Sequence, residues 1–270
     1  MRLPFLKPFA GCAGVLLGWL AIRTSLLAEL SSPPAQVPSL SSILNRMVDK
    51  QEALARELNA YQFLEEIDLE TLGKDNLPRS HSHVVVQIRP NSHALILTDT
   101  PGDERARRAA AEAEVKQARR GIETVYSFRK AVPRFHVVLL GQGDWRGEPA
   151  YHLAFSGKPN EPYRTPLEKL LNHVHGQMHV SARDYSILET HAFLAEPVNV
   201  AWFLVRFEHL DFSYAAERIP LGYAPKRVTF HYRVRIPFAS RHERQQIHLV
   251  DYRLAKPAES PAKPGSPLTP

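Results

Sequence analysis

Residues 143–159 read GDWRGEPAYHLAFSGKP, and the second half of that stretch decides the fold class. Tyr151, Leu153 and Phe155 alternate with His152 and Ala154. An extended chain therefore places an apolar, aromatic set on one face and leaves polar or small residues on the other. Trp145-Arg146-Gly147-Glu148-Pro149 ahead of it carries turn chemistry. A turn followed by a strand with one apolar face is the repeating unit of an antiparallel sheet.

The same unit recurs in both directions. Upstream, YQFLEEIDL sets Tyr61, Phe63, Ile67 and Leu69 against Gln62, Glu66 and Asp68. A turn at Gly73–Asn76 follows, then strands HVVVQI (His83–Ile88) and HALIL (His93–Leu97). Between the turn unit and these lies FHVVLL, Phe135–Leu140. Downstream, a short helix is expected at Pro166–Leu171, then GQMHV, YSILETHAFLAEP, FLVRFEHLDFSYAAERI, KRVTFHYRVRI and RQQIHLVDYRL, all strand-like. Many alternating strands with short turns predict a mainly β fold, an antiparallel barrel or strongly curved sheet.

Two segments break the period of two. Ile43–Leu58 has helical spacing, with Ile43, Met47, Leu54 and Leu58 able to share a stripe. Thr100–Gly121 starts with proline and acidic residues and ends in Arg-Arg-Gly, the terminal preferences of a helix. Its apolar content is almost all alanine, which predicts a charged surface helix.

The chain has 270 residues with 44% apolar and 23% charged side chains, enough for one sizeable core. Arg2 and Lys7 precede the apolar run FAGCAGVLLGWLAI, so residues 1–28 read as an export signal, or as an uncleaved N-terminal anchor. Residues 29–38 form a linker, 39–254 the folded domain, and the Pro-rich 255–270 a disordered tail. The address that fits is periplasmic. Cys12 is the only cysteine, so the exported domain has no internal disulfide. A net charge of +6 allows anionic partners. No metal-finger spacing, recognition helix or aromatic RNA-binding strand accompanies it, so nucleic acid is not the expected partner.

The residues offer little chemistry. Among thirteen histidines, His173, His175 and His179 cluster in NHVHGQMHV, and His81 and His83 form a second pair. No acidic partner stands at a diagnostic spacing, and Gly176 is expected to separate the trio between two elements, so no metal site is assigned. No nucleophile elbow, phosphate loop or cooperating carboxylate pair is present, so an enzyme and a cofactor are not expected. In KRVTFHYRVRI, Arg233 and Arg235 share one face and are candidates to meet an anionic membrane.

The apolar faces are the main candidate site. Tyr61, Phe63, Leu95, Leu97, Val137, Leu139, Tyr151, Leu153, Phe155, Met178, Val180, Phe203, Val205, Phe230 and Tyr232 are expected on one side of one sheet. They either line a lipid cavity or fill a solid core, and both readings stay open on sequence alone.

The order of parts carries a resemblance. A helix running into the first strand (SILNRMVDKQEALARELNAYQFLEEIDLETL) precedes RGEPAYHLAF, GQMHVSARDYSILETHAFL and ERIPLGYAPKRV. Together they resemble the LolA-like, outer-membrane lipoprotein-sorting-like group of bacterial envelope proteins, over most of Ser39–Arg253. The resemblance implies a half-open antiparallel β-barrel with an apolar cavity and covering helices. In carrier members such a cavity shields lipoprotein acyl chains, and related barrels also serve as envelope-stress sensors; a lipid or acyl chain is the expected partner, with an anionic membrane surface or envelope proteins as further candidates. Ala224 stands where a tryptophan often precedes the proline, and no lid arginine is matched. No binding residue is carried over.

Overall fold

The computed structural model describes residues 38–90, 93–97, 128–201 and 205–255. The chain divides into two compact units, Met1–Ser39 and Leu40–Pro270, and the fold described here belongs to the second. It opens with α1 (Leu40–Leu58), β1 (Tyr61–Leu72), β2 (Pro78–Arg89) and β3 (His93–Ile96). After α2 (Phe128–Ala131) and a 3-10 turn come β4 (Phe135–Trp145), β5 (Glu148–Gly157), α3 (Pro166–Leu171), β6 (Val174–Ser181) and β7 (Ile187–Leu194). The chain continues through β8 (Val198–Ala201), β9 (Val205–Ile219), β10 (Gly222–Ile236) and β11 (Ala239–Leu254).

These strands form one antiparallel sheet in the order β3-β2-β1-β11-β10-β9-β7-β6-β5-β4, with β8 added on β9. Among the described residues β3 and β4 are not paired, so the sheet is open. The expected half-open, barrel-like antiparallel architecture is the one observed. The β4–β5 turn shows why its residues are there: Arg146 (φ 51°) and Gly147 (φ 86°) both take positive φ, as a tight two-residue hairpin requires.

Register unites the apolar faces. In an antiparallel pair, directly opposed residues point to the same side. Leu139, Leu153, Met178, Thr190, Tyr214, Val228, Ile247, Ile67 and Val84 oppose one another in turn from β4 to β2. A parallel row runs through Val137, Phe155, Gly176, Ala192, Phe212, Phe230, Gln245, Leu69 and Ser82. This side is the inner face, because α1 lies on it. Ile43, Met47 and Val48 of α1 are buried together with Tyr151, Leu153, Val180 and Ile187. Val48 thus joins the stripe that spacing assigned to Ile43, Met47 and Leu54, all three of which are buried, whereas Leu58 stays half-exposed.

Two further clusters complete the packing. Phe155, Val174 and Ala192 are buried with Phe135, Leu194 and Phe212 around them. Leu170 of α3 is buried with Val198 and Val200, so β8 exists largely to close that corner. Arg134 Nη1 donates to Asn172 Oδ1 (3.0 Å), and its other nitrogen pairs with Glu168 (3.1 Å), fixing α3 against the start of β4.

Gly176 lies inside β6 and does not separate elements, contrary to expectation. A Cβ there would sit 2.3 Å from the His191 carbonyl oxygen and 2.5 Å from Phe155 Cζ, so the missing side chain is the space the Phe155 ring occupies. Gly176→Ala is expected to cost about 1–3 kcal/mol through overpacking. Gln177→Ala, at the exposed neighbouring position, should stay within about 0.5 kcal/mol of wild type. Urea unfolding of both variants checks this, and equal midpoints would contradict it.

Candidate functional site: the inner face of the sheet

Most of the residues named from sequence meet on the inner face. Val137, Leu139, Tyr151, Leu153, Phe155, Met178 and Val180 form its β4–β6 part. Phe230 and Tyr232 lie on the β10 part, and Phe63 shares the inner side of β1 with Ile67. Tyr61 is buried at the start of β1.

Three named residues are placed elsewhere. Leu95 opposes Gln87, and Leu97 donates its amide to the Val85 carbonyl (2.8 Å). Both therefore lie on the outer face, and both are exposed. Val205 packs in the α3–β8 cluster near the end of the sheet. Phe203 falls outside the described residues, as do the alanine-rich helix segment, the signal or anchor segment and the Pro-rich tail.

The inner face has two unlike halves. Over β4–β7, α1 covers it and Tyr151, Leu153, Phe155 and Val180 are buried, Leu153 to 1% and Val180 to 0% exposure, while Val137, Leu139 and Met178 are partly buried around them. Over β9, β10 and β11 its middle is only half-buried, whereas Ile67 of β1 is buried, at 6% exposure. Leu69, Leu210, Phe212, Val228, Phe230 and Ile247 all retain solvent contact there, and Tyr214 beside them packs against the α1 cluster. The Phe212 and Phe230 rings meet at 5.1 Å between centroids, forming an aromatic floor.

Helix α1 is held at its charged edge. Arg46 Nη1 donates to the Tyr185 hydroxyl (2.9 Å), Lys50 stands 4.0 Å from Asp184, and Arg129 of α2 bridges Asp49 and Glu52 at 2.8 Å each. Such exposed pairs are individually weak, each worth up to about 1 kcal/mol. The helix is held mainly by Ile43, Met47 and Val48.

Polar groups also enter the inner face: Glu65 opposes Leu249 and Val86, and Gln245 opposes Leu69 and Phe230. The Tyr232 hydroxyl donates to Glu243, and burial followed by that bond pushes it well above its ordinary pKa. Tyr252 donates to the Pro225 carbonyl (2.5 Å), and burial again raises it. Burial alone raises Tyr214. All three stay neutral at physiological pH, so none of these tyrosines puts a charge into the face.

At the far end, a buried acid escaped the sequence reading. Glu148 is 6% exposed, accepts from Ser181 Oγ (3.0 Å), and has Arg183 Nε 3.5 Å away. Ser181 Oγ accepts in turn from the Arg183 amide (3.2 Å), and Asp184 accepts from Ser186 Oγ (2.9 Å). This network locks the β4–β5 turn to the β6–β7 turn. The adjacent Ser181 and Ser186 framing SARDYS were the only available signal.

The outer face carries histidines. His231 and His242 approach at 2.8 Å between Nε2 atoms, and the His209 ring meets His231 at 4.8 Å. Burial, then neighbouring His209 and His242, lowers the His231 pKa; burial also lowers His242, opposed by the Gly73 carbonyl and reinforced by Arg233. His81 and His83 both meet Asp68 Oδ1 at 2.9 Å. Among the described residues no group of three or more His, Cys, Asp or Glu is arranged to hold a metal ion. Arg233 Nη2 donates to Asn76 Oδ1 (3.2 Å), and Arg235 pairs with Glu208 (3.4 Å), so both candidate arginines lie on this outer side and are partly engaged.

No family model matches the chain, and no curated protein matches it. Solved structures do resemble it. A LolA-superfamily protein from Nitrosomonas europaea is 9% identical with a TM-score of 0.33, covering 83% of this chain and 96% of that one. A domain described as a candidate outer-membrane lipoprotein-sorting protein from Vibrio parahaemolyticus is 9% identical with a TM-score of 0.30, covering 80% and 95%. A chain of the MucA/MucB complex of Pseudomonas aeruginosa is 11% identical with a TM-score of 0.24, covering 76% and 94%. At these identities no side chain is carried across.

The outer histidines make acid stability measurable. A histidine whose folded pKa lies below its unfolded value of about 6.5 is neutral in the fold and binds protons on unfolding. Its contribution is complete above about pH 6.5 and is lost as pH falls toward the folded pKa. The titratable and charged groups facing His231 and His242 are His209 and Asp211 on β9, Arg233 on β10 and Arg244 on β11. The urea midpoint is expected to drop between pH 7.5 and 5.0, and His231→Thr should reduce that drop. A midpoint that is flat or rises toward acid would contradict this assignment.

Proposed function

We propose that residues 39–254 form an exported, periplasmic binding domain that acts without catalysis and holds lipid or lipoprotein acyl chains on its inner face. The observation that carries this reading is the row from Leu139 to Val84, apolar on every strand but one, packed under α1 at Leu139, Leu153 and Met178 and left partly wet at Val228 and Ile247. An acyl chain laid over Phe212, Val228, Phe230 and Ile247 gains about 0.8 kcal/mol per buried CH₂. Neutral tyrosines and the Tyr232–Glu243 pair border that floor without placing an unpaired charge in it. The lipoprotein-sorting and LolA-superfamily structures it resembles are in keeping with such a role.

A second reading has its own observation. Over β4–β7 the inner face is already filled by Ile43, Met47 and Val48, as in a packed interaction module. MucB, which the fold also resembles, was solved in complex with MucA. That reading predicts a protein partner and no retained lipid.

Native mass spectrometry of the purified protein, followed by organic extraction, separates the two. Retained adducts of lipid mass, released by solvent, are expected. Phe230→Arg, which places a charge at the centre of the half-buried floor, should remove at least nine-tenths of the adduct while the circular dichroism spectrum is kept. A lipid-free protein that also takes up no added palmitate or phospholipid would sink the lipid reading and favour the partner reading.

A further inference from the structure

The β10–β11 hairpin turns through two residues, Pro237 and Phe238, between the paired Ile236 and Ala239. Phe238 is fully exposed, at 108% of its reference area, and has φ 66°. Positive φ is a conformation for glycine or asparagine, and a bulky aromatic there is an outlier. The side chain also gains no burial that offsets the strain within the chain. Arg146 takes a similar φ in its own two-residue turn, but Phe238 combines it with a large apolar side chain left wholly in solvent.

The surroundings give a partner of this tip a sign. Arg206 and Arg235 oppose each other directly on β9 and β10, an arrangement that repels unless an anion lies between or near them. Arg206 has no carboxylate partner among the described residues, and Arg235 has only the exposed Glu208 pair at 3.4 Å. Asn199 extends the row on β8. These three residues, with Ile236, Pro237 and Phe238, line an open pocket of about 400 Å³. The β1–β2 turn stands at the same end of the sheet, tied to β10 and β11 by Arg233–Asn76 (3.2 Å) and His242–Gly73 carbonyl (3.2 Å) contacts. It presents Leu77, 63% exposed, whose amide donates to Asp75 Oδ1 (3.2 Å), with Lys74 in the same turn.

We propose that this end docks on an anionic phospholipid bilayer, with Phe238 entering the acyl boundary and Arg206 and Arg235 taking headgroup phosphates. A bilayer fits better than a protein surface. Single apolar tips, Phe238 beside Arg206 and Arg235 and Leu77 in a turn of mixed charge, offer too little contiguous area for a stable protein interface. They are sufficient for a membrane, which rewards each buried apolar group and each cation separately. The proposal rests on the hairpin alone and does not depend on whether the inner face holds lipid.

Partition of the full chain onto phosphatidylcholine vesicles with and without phosphatidylglycerol tests it. The apolar N-terminal segment is common to every variant, so differences between variants report the hairpin. Phe238→Asn suits the positive φ, so its urea midpoint should equal or exceed that of wild type while partition falls about tenfold. Arg206→Glu combined with Arg235→Glu should abolish the preference for phosphatidylglycerol. Unchanged partition in Phe238→Asn, or a wild type indifferent to phosphatidylglycerol, would overturn the proposal even if lipid adducts are found on the protein.

Discussion

Everything in this fold depends on antiparallel register being kept across nine consecutive strands. Because side chains alternate with a period of two, one slipped pairing would send half of the apolar row to water. The row from Leu139 to Val84 survives bulges between Leu139 and Gly141, between His179 and Val180 and between Pro225 and Arg227. Those bulges bend and twist strands locally and leave the inward set intact. The result is a continuous apolar wall that an open sheet cannot cover by closing on itself.

That wall needs a cover, and the described residues supply only part of one. Helix α1 brings Ile43, Met47 and Val48 onto β4–β7 and is steadied there by Arg46, Lys50 and the Arg129 bridge. The buried Glu148–Ser181 network holds the turns at one end, while the opposite end carries the strained Phe238 tip and its arginines. Rigid and apolar in the middle, polar and locked at one end, basic and apolar-tipped at the other, the domain has a direction. A ligand on the half-wet floor and a membrane at the hairpin end are compatible with one another in that geometry.

The legible parts were those where one period dominates. In β5, Tyr151, Leu153 and Phe155 have only His152 and Ala154 between them, so the inward face could be read without a partner strand. HALIL was not decidable in that way, because both of its phases are apolar. Pairing with Gln87 and Val85, and not hydropathy, puts Leu95 and Leu97 outside. Gly176 looked like a break because the sequence does not show that the Phe155 ring needs its space. Strand β8 was missed for its four residues, and Glu148 because its partner Ser181 is 33 positions away. Phe238 carried a signal, an aromatic after proline in a turn, but its exposure is a fact of the tertiary structure.

The central claim is that the half-buried floor of β9 and β10 receives an acyl chain. Photolysis of the protein with a diazirine-bearing fatty acid, followed by peptide mapping, addresses it at residue level. The account predicts adducts on the inward positions of β9 and β10, Phe212, Tyr214 and Phe230 foremost. Adducts confined to the outer face or to Pro237–Phe238, or an absence of specific labelling that excess palmitate can displace, would contradict it.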